Sequence, residues 1–437
     1  MMGQPEWPIH NRRVLIIAWI AIVLAGAYRC FGPIEYDPHD SARMVEEAAR
    51  MGHSLYEFGE FRDPYQTLNT GPTAHTAPGF PAVVAAVYRI FGDKAAGAYA
   101  VQLVEATAVV AEIALLPVVM QALGTNLFTG VVGALIFVMG VRRYSYWEAN
   151  YVGLLLMIAA LLACRYVRVS SINVAPKAGR VALSPRSPWL LACALGLVWG
   201  AILLTGPSAG SIWLAWVFAG AWLSARRGFP YAWLPALILP LILIAPWEWR
   251  NYRVFHAFVP LRSSFGLELR ISNNPCAKVT VWLNRHGQKC YEHPNEVVAE
   301  AEKVGNLGEA EYNRRQLRQA LKWIAANPGR TLNLSRQRFV LFWLPAPGRR
   351  IAIWVIDAAT LLSLAGLWAL YRFNRTGFAI CVIFLLIYPL PYYLIQADER
   401  YRIPVLWVTF GLAALGCTAL LQAVTKRAPH GAMARTA

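Results

Sequence analysis

Apolar residues in this chain come in blocks of about twenty, and that grouping decides most of what it can fold into. Clear blocks run over 14–31, 95–122, 127–141, 151–168, 189–205, 209–224, 231–247, 351–371, 377–395 and 403–424. A helix of about 20 residues crosses the hydrocarbon core of a bilayer and satisfies its own backbone groups there. The pattern predicts an all-α polytopic membrane protein with about 10–11 transmembrane helices. Composition points the same way: 15% of residues are charged and 57% hydrophobic, whereas soluble domains carry about 25% charged residues. A soluble cytosolic enzyme, a nucleic-acid-binding domain and a disordered chain are excluded, and no nucleic acid is expected as a partner.

The net charge of +17, from 41 Lys and Arg against 24 Asp and Glu, is read as basic residues gathered at one membrane face. An eleventh apolar stretch, 79–91, has only 13 residues. If it is a juxtamembrane or re-entrant helix, then Arg12, Arg13, Lys177, Arg180, Arg186, Arg226, Arg227, Arg372, Arg375, Lys426 and Arg427 share one side. That leaves 32–78 and 248–350 as long outer segments, with 142–150 and 396–402 as short ones. The expected organisation is 1–247, a membrane module with its first outer loop at 32–78, then an outer mostly helical domain at 248–350, then 351–437, the last spans and a short tail. No small-residue cleavage site follows the first block, so it is expected to remain as a span. Within 248–350, segments 295–304 and 309–326 are amphipathic, separated by Gly305 and Gly308, and the second stops at Asn327 and Pro328. Its basic face (Arg314, Arg315, Arg318, Lys322) with Leu317, Leu321 and Trp323 suits a helix on the membrane surface, or a small cap with solvated charges.

Chemistry belongs on the outer segments. Asp37 and Asp40 sit just outside the first span, where a carboxylate serves as a general base or binds a cation. The plain alternative is capping, with Asp40 or Ser41 opening a helix over 42–51. His75 lies on a constrained loop, TGPTAHTAPGFP, and no second His or Cys stands at metal spacing, so no metal site is expected. Glu148 marks the mouth between two spans. Arg400 and Arg402, in ADERYRIP, lie on the side where the positive-inside rule does not explain them. Their fork geometry suits a phosphate, and the alternative is pairing with Asp398 and Glu399. Glu105 and Glu112, seven apart on one helix face, serve a proton path or tie two helices together. Of seven cysteines, Cys276 and Cys290 stand in a polar outer segment and are expected to form a disulfide, the alternative being two free thiols.

Taken in order, several pieces resemble a known family. They are Asp40 to Gly52, APGFPAVVAAVYRIFG, the block at 245–275 with Pro246, Trp247, Arg250, Asn251, Gly266, Asn273, Asn274 and Pro275, then AANPGR with LSRQRFVLFWLP (325–345), and ERYRIPV (399–405). They are similar to GT-C type glycosyltransferases, specifically the bacterial relatives of protein O-mannosyltransferases and lipid A aminoarabinose transferases (glycosyltransferase family 39-like). The resemblance implies transfer of a hexosyl or pentosyl unit from a polyprenyl-phosphate-linked sugar to a lipid, glycan or protein acceptor, with inversion at the anomeric carbon. It implies a multi-pass protein of the bacterial inner membrane with its site facing the periplasm. The family's first-loop acid falls on Asp40, with Asp37 beside it; Ser41 stands where many members have a second carboxylate. Glu148 matches the acid of the next outer loop, and Arg400 and Arg402 the basic end that faces the donor phosphate.

Direct reasoning agrees, because such a transfer needs a carboxylate base and a cationic cradle for the departing phosphate. No Gly-rich nucleotide loop is present and no cofactor is expected. Asp40, Glu148, Arg400 and Arg402 are expected to share one outward cavity, with His75 lining it. The rival is a transporter or lipid-linked-sugar flippase using Glu105 and Glu112, against which stand two large outer loops and the lack of any repeat. A scaffold with degenerate chemistry is the third reading.

Overall fold

Helices carry nearly all the regular structure of the computed structural model, which describes residues 11–34, 46–140, 147–172, 186–226, 231, 233–287, 290–345 and 351–427. Among these residues no strand forms, only isolated bridges between Arg62 and Pro72 and between Thr280 and Ala397. Seven helices are long and apolar enough to cross a membrane. They are α1 (Arg12–Phe31), α4 (Ala95–Ala122), α6 (Ala149–Ile172), α7 (Arg186–Thr205), α15 (Ile351–Phe373), α16 (Arg375–Ile387, with the turn that follows it) and α17 (Leu406–Arg427, with the turn before it). The other three predicted spans are also helical: α5 (Leu127–Gly140), α8 (Gly210–Arg226) and α9 (Leu234–Phe255). The first two fall short at 14 and 17 residues, and α9 runs past its apolar part to carry Glu248, Arg250 and Arg253.

Prolines set several ends. Pro389 and Pro391 turn the chain after α16 into a short 3-10 helix, Leu390–Tyr393. Pro404 keeps Glu399–Val405 in the 3-10 form, so α17 starts at Leu406 rather than at 403. This last span is the core of the bundle, 83% buried over its apolar window, whereas α1 is peripheral at 11%. It crosses α15 backbone to backbone. A Cβ on Gly366 would lie 1.8 Å from the Leu412 carbonyl oxygen, so only glycine fits there.

The short helix α3 (Gly79–Phe91) lies beside one end of the bundle. Its first residue, Gly79, sits against the Leu204 carbonyl and the Thr205 hydroxyl at the end of α7, and its last residue is four positions from the start of α4. It rests on α2 (Glu47–Phe58), which passes through Gly52 and ends instead at Gly59. The reason is contact: Gly52 faces Val84 so closely that a Cβ would come within 2.6 Å of it.

Five helices occupy the long segment after α9: α10 (Phe265–Ser272), α11 (Val281–Gly287), α12 (Val298–Leu307), α13 (Glu309–Ala326) and α14 (Pro328–Trp343). Gly305 stays inside α12, and the break falls at Gly308, whose φ is +75°. Helix α12 starts three residues later than the amphipathic pattern predicts, because the His293 ring binds the Asn295 amide and makes a turn there. On α13, Tyr312, Asn313, Gln316 and Ala320 are buried, while Arg314, Arg315 and Arg318 all reach Glu311. Cys276 and Cys290 are joined as a disulfide, with Cα atoms 6.0 Å apart.

Candidate functional site

At the bundle end that carries α10–α14, a cavity of about 480 Å³ opens between the starts of α6 and α8, the chain around Arg262 and α10, the end of α16 and the turn that precedes α17. Among the described residues, four charged side chains line it: Glu148, Glu268, Arg262 and Arg400.

Glu148 comes from the turn that opens α6, where its carbonyl accepts the Tyr151 and Val152 amides at 3.0 and 3.2 Å. Glu268 stands in the first turn of α10, and its Oε2 is buried without a hydrogen-bond partner among the described residues. Burial pushes both carboxyls above their ordinary range, while Arg262 and Arg400 pull the other way. Arg400 ion-pairs with Asp398 at 3.1 Å and with Glu46 at 3.9 Å, and its guanidinium lies 4.3 Å over the Trp147 ring. Arg262 donates from Nε to Ser264 at 2.8 Å, leaving its terminal nitrogens for the cavity. The apolar wall is aromatic. Tyr392 stacks on Tyr401 at 4.7 Å and leans on Tyr388 at 5.3 Å, and its hydroxyl donates to Ser208 at 2.8 Å.

The block most specific in the sequence is what places Arg262. Trp247 Nε1 donates to the Leu261 carbonyl at 2.8 Å, Glu248 accepts the Leu261 amide at 2.6 Å, and Asn251 donates to the Val259 carbonyl at 3.2 Å. The same turn of α9 sends Arg250 to the Thr73 and Phe61 carbonyls at 2.8 and 2.9 Å. Buried Glu309 completes the clamp by accepting from Thr73, from the Ala74 amide at 2.7 Å and from Ser263 at 2.7 Å. The loop at 61–74, the end of α9, the chain at 259–263 and the start of α13 are thus fixed around one point.

Arg400 is held by a second set of ties. The Ser272 hydroxyl accepts the Gln396 amide at 2.8 Å, Asn284 donates to Gln396 Oε1 at 2.7 Å, and Ala397 exchanges backbone bonds with Val279 and Val281. The disulfide closes the segment that supplies these partners. Arg338, fully buried, donates to the Ser272 carbonyl and, at 2.9 Å, to that of Leu394.

Of the residues singled out in the sequence, Glu148 and Arg400 meet in this cavity. Asp37 and Asp40 lie outside the described residues. Arg402 does not face the cavity. It is 3% exposed and donates to the Trp343 carbonyl at 2.7 Å and to the Thr360 and Thr409 hydroxyls at 2.8 and 3.1 Å. The cause is helical pitch: two residues after Arg400, a side chain points into the bundle, not out of it. Glu105 and Glu112 are buried ties. Glu105 accepts the Trp147 amide at 2.9 Å, and the Glu112 carboxyl is buried against Gly153 of α6. Sequence reading missed Arg262, Glu268 and Glu46.

His75 is also outside the cavity, in a buried group with Tyr65, His293 and Glu47. One ligand-capable atom from each of Glu47, His75 and His293 falls within 4.8 Å of the others, a pairing 218 positions apart for the histidines that spacing could not show. The group does not fit a metal as it stands. Burial holds both imidazoles neutral, His293 down to about 3, and a neutral imidazole has one lone pair. His293 spends that pair at Nδ1 on the Asn295 amide, 3.0 Å away. Its Nε2 therefore carries a proton. Burial, then the Glu46 charge, push the Glu47 carboxyl up to about 8, so the trio reads as a neutral polar cluster.

No family model matches the sequence, and no curated protein matches it. Solved structures do. The oligosaccharyltransferase of Archaeoglobus fulgidus, tethered with an acceptor peptide, superposes with a TM-score of 0.58 at 12% identity, over 95% of this chain and 50% of that one. Oligosaccharyltransferase AglB from the same organism, in complex with an inhibitory peptide and a dolichol-phosphate, gives 0.55 at 13% identity over 96% and 52%. ArnT from Cupriavidus metallidurans, bound to undecaprenyl phosphate, gives 0.36 at 13% over 95% and 79%. This chain spans about half the length of the oligosaccharyltransferases it matches. This chain shares the multi-pass helical fold of these oligosaccharyltransferase structures.

Proposed function

We propose that this chain is an integral-membrane glycosyltransferase that moves a hexosyl or pentosyl unit from a polyprenyl-phosphate-linked sugar to an acceptor lipid, glycan or protein. The observation that carries the reading is the facing of two guanidinium groups, Arg262 and Arg400, and two carboxyls, Glu148 and Glu268, across one aromatic-walled cavity at the end of a helix bundle. Arg400 and Arg262 receive the donor phosphate and stabilise it as it leaves, the place where negative charge grows. The stacked Tyr392 and Tyr401 give the sugar and the first prenyl units an apolar face.

The base is a carboxylate that takes the acceptor's proton as the acceptor attacks the anomeric carbon and the C–O bond to phosphate breaks. The resemblance assigns this role to Asp40, with Asp37 as its neighbour; Glu148 and Glu268 are the carboxylates that the cavity itself offers. In this reading the site faces the outside of a bacterial plasma membrane. The test is transfer by the purified chain in proteoliposomes, with a polyprenyl-phosphate sugar and an envelope extract as acceptor. Wild type releases polyprenyl phosphate, Asp40→Asn does not, and both bind polyprenyl phosphate equally. Release by Asp40→Asn at the wild-type rate removes Asp40 from the base role, and movement of intact donor across the bilayer favours a flippase.

A further inference from the structure

A second cavity of about 430 Å³ lies among α6, α7, α8, α9 and α16. It is at the opposite end of the bundle from the first. Helix α16 shows this directly: Tyr388 beyond its end lines the charged cavity, while Arg375 at its start lines this one. The 13 residues between them correspond to about 20 Å of helix. Helix α8 repeats the arrangement, with Ser211 at one cavity and Trp222 at the other.

The two cavities differ in chemistry. The second is walled by Tyr166, Trp216, Trp222, Trp233 and Ile380, and among the described residues its lining has no acidic side chain and Arg375 as its one charged side chain. Its volume falls in the range of ligand pockets, about 300–1,000 Å³. Arg375 lies 3.4 Å over the Tyr371 ring, and Arg226 lies 4.3 Å over the lining Trp222. Stacking holds the guanidinium planes while leaving their edges able to bond. Tryptophans with arginines at one level mark the boundary between hydrocarbon and headgroups. A basic rim over an apolar slot between spans is the arrangement that takes an anionic lipid.

We propose that this cavity binds one anionic phospholipid, with an acyl chain among the tryptophans and the phosphate on Arg375. The site is separate from the transferase reading and stands without it. The lipid fills the gap between α6–α9 and α16, and so wedges apart helices whose other ends frame the first cavity.

Native mass spectrometry of the purified chain, equilibrated with equal amounts of phosphatidylglycerol and phosphatidylcholine of matched chains, tests it. Wild type retains one phosphatidylglycerol in preference to phosphatidylcholine. Arg375→Gln lowers that preference about fivefold, the value of one interfacial cation. Ala379→Trp, which builds an indole into the cavity, removes the retained lipid, and inorganic phosphate does not compete. Equal retention of the two lipids, or unchanged preference in Arg375→Gln, overturns the proposal. Arg375→Gln carries the test alone if the tryptophan variant does not assemble, since residue 375 is exposed.

Discussion

Replacing Arg400 by glutamine should weaken binding of polyprenyl phosphate about thirtyfold while leaving neutral polyprenol unaffected. Removing one partner of a desolvated charge pair costs about 2–5 kcal/mol. Arg400 belongs at the low end of that range for two reasons visible in the structure. Its side chain is 21% exposed and already divides its charge between Asp398 and Glu46, and Arg262 remains on the cavity wall as a second cation. About 2 kcal/mol then converts to roughly thirtyfold in Kd. Titration of the chain in nanodiscs with polyprenyl phosphate and with polyprenol, read by thermophoresis, separates charge recognition from tail recognition. A change under about threefold for the phosphate, or an equal loss for the alcohol, refutes the phosphate role of Arg400 by the same arithmetic.

Burial raises the Glu148 and Glu268 carboxyls, so any step they make in the transfer rate comes as pH rises above the ordinary glutamate value of about 4.3. Glu148→Gln or Glu268→Gln should remove the corresponding step from the pH profile, and unchanged profiles for both would assign the step elsewhere. Arg402→Ala should lower thermal stability by about 3 kcal/mol, since it orphans buried carbonyl and hydroxyl partners, yet leave donor affinity intact; a specific affinity loss at full stability would return Arg402 to the site. Cys276→Ser with Cys290→Ser should cost about 3 kcal/mol by loop entropy, measured as a lower melting temperature in detergent. Glu47 is protonated in the fold up to about pH 8 but ionises near 4.5 when unfolded, so its contribution to stability is full below about 4.5 and fades through 8. Melting temperature should fall over that window, and Glu47→Gln should flatten the fall.

The spans were legible because bilayer crossing imposes a length and a composition that neighbours cannot hide. Helix ends were less so. Gly52 reads as a stop, yet it marks where α3 crosses α2, a contact that depends on Val84, 32 positions on. The charged cavity was half legible: Glu148 and Arg400 stand out because they sit in short polar segments between apolar blocks. Arg262 and Glu268 sit in a long segment rich in charges, and only the clamp of Trp247, Glu248 and Asn251 on 259–261 shows why this arginine faces the cavity. Arg402 failed for a simpler reason. Adjacent basic residues look alike in a sequence, but two steps along a tight helix separate a side chain on the cavity from one bound to Thr360 and Thr409.

The central claim is that this chain consumes a polyprenyl-phosphate-linked sugar. Mass spectrometry of membrane lipids from cells lacking the chain, from wild type and from cells carrying Arg400→Gln measures that directly. The account predicts that one polyprenyl-phosphate sugar accumulates in the deletion and in Arg400→Gln, while one glycoconjugate loses that sugar. Identical lipid-linked sugar pools in all three strains would contradict it.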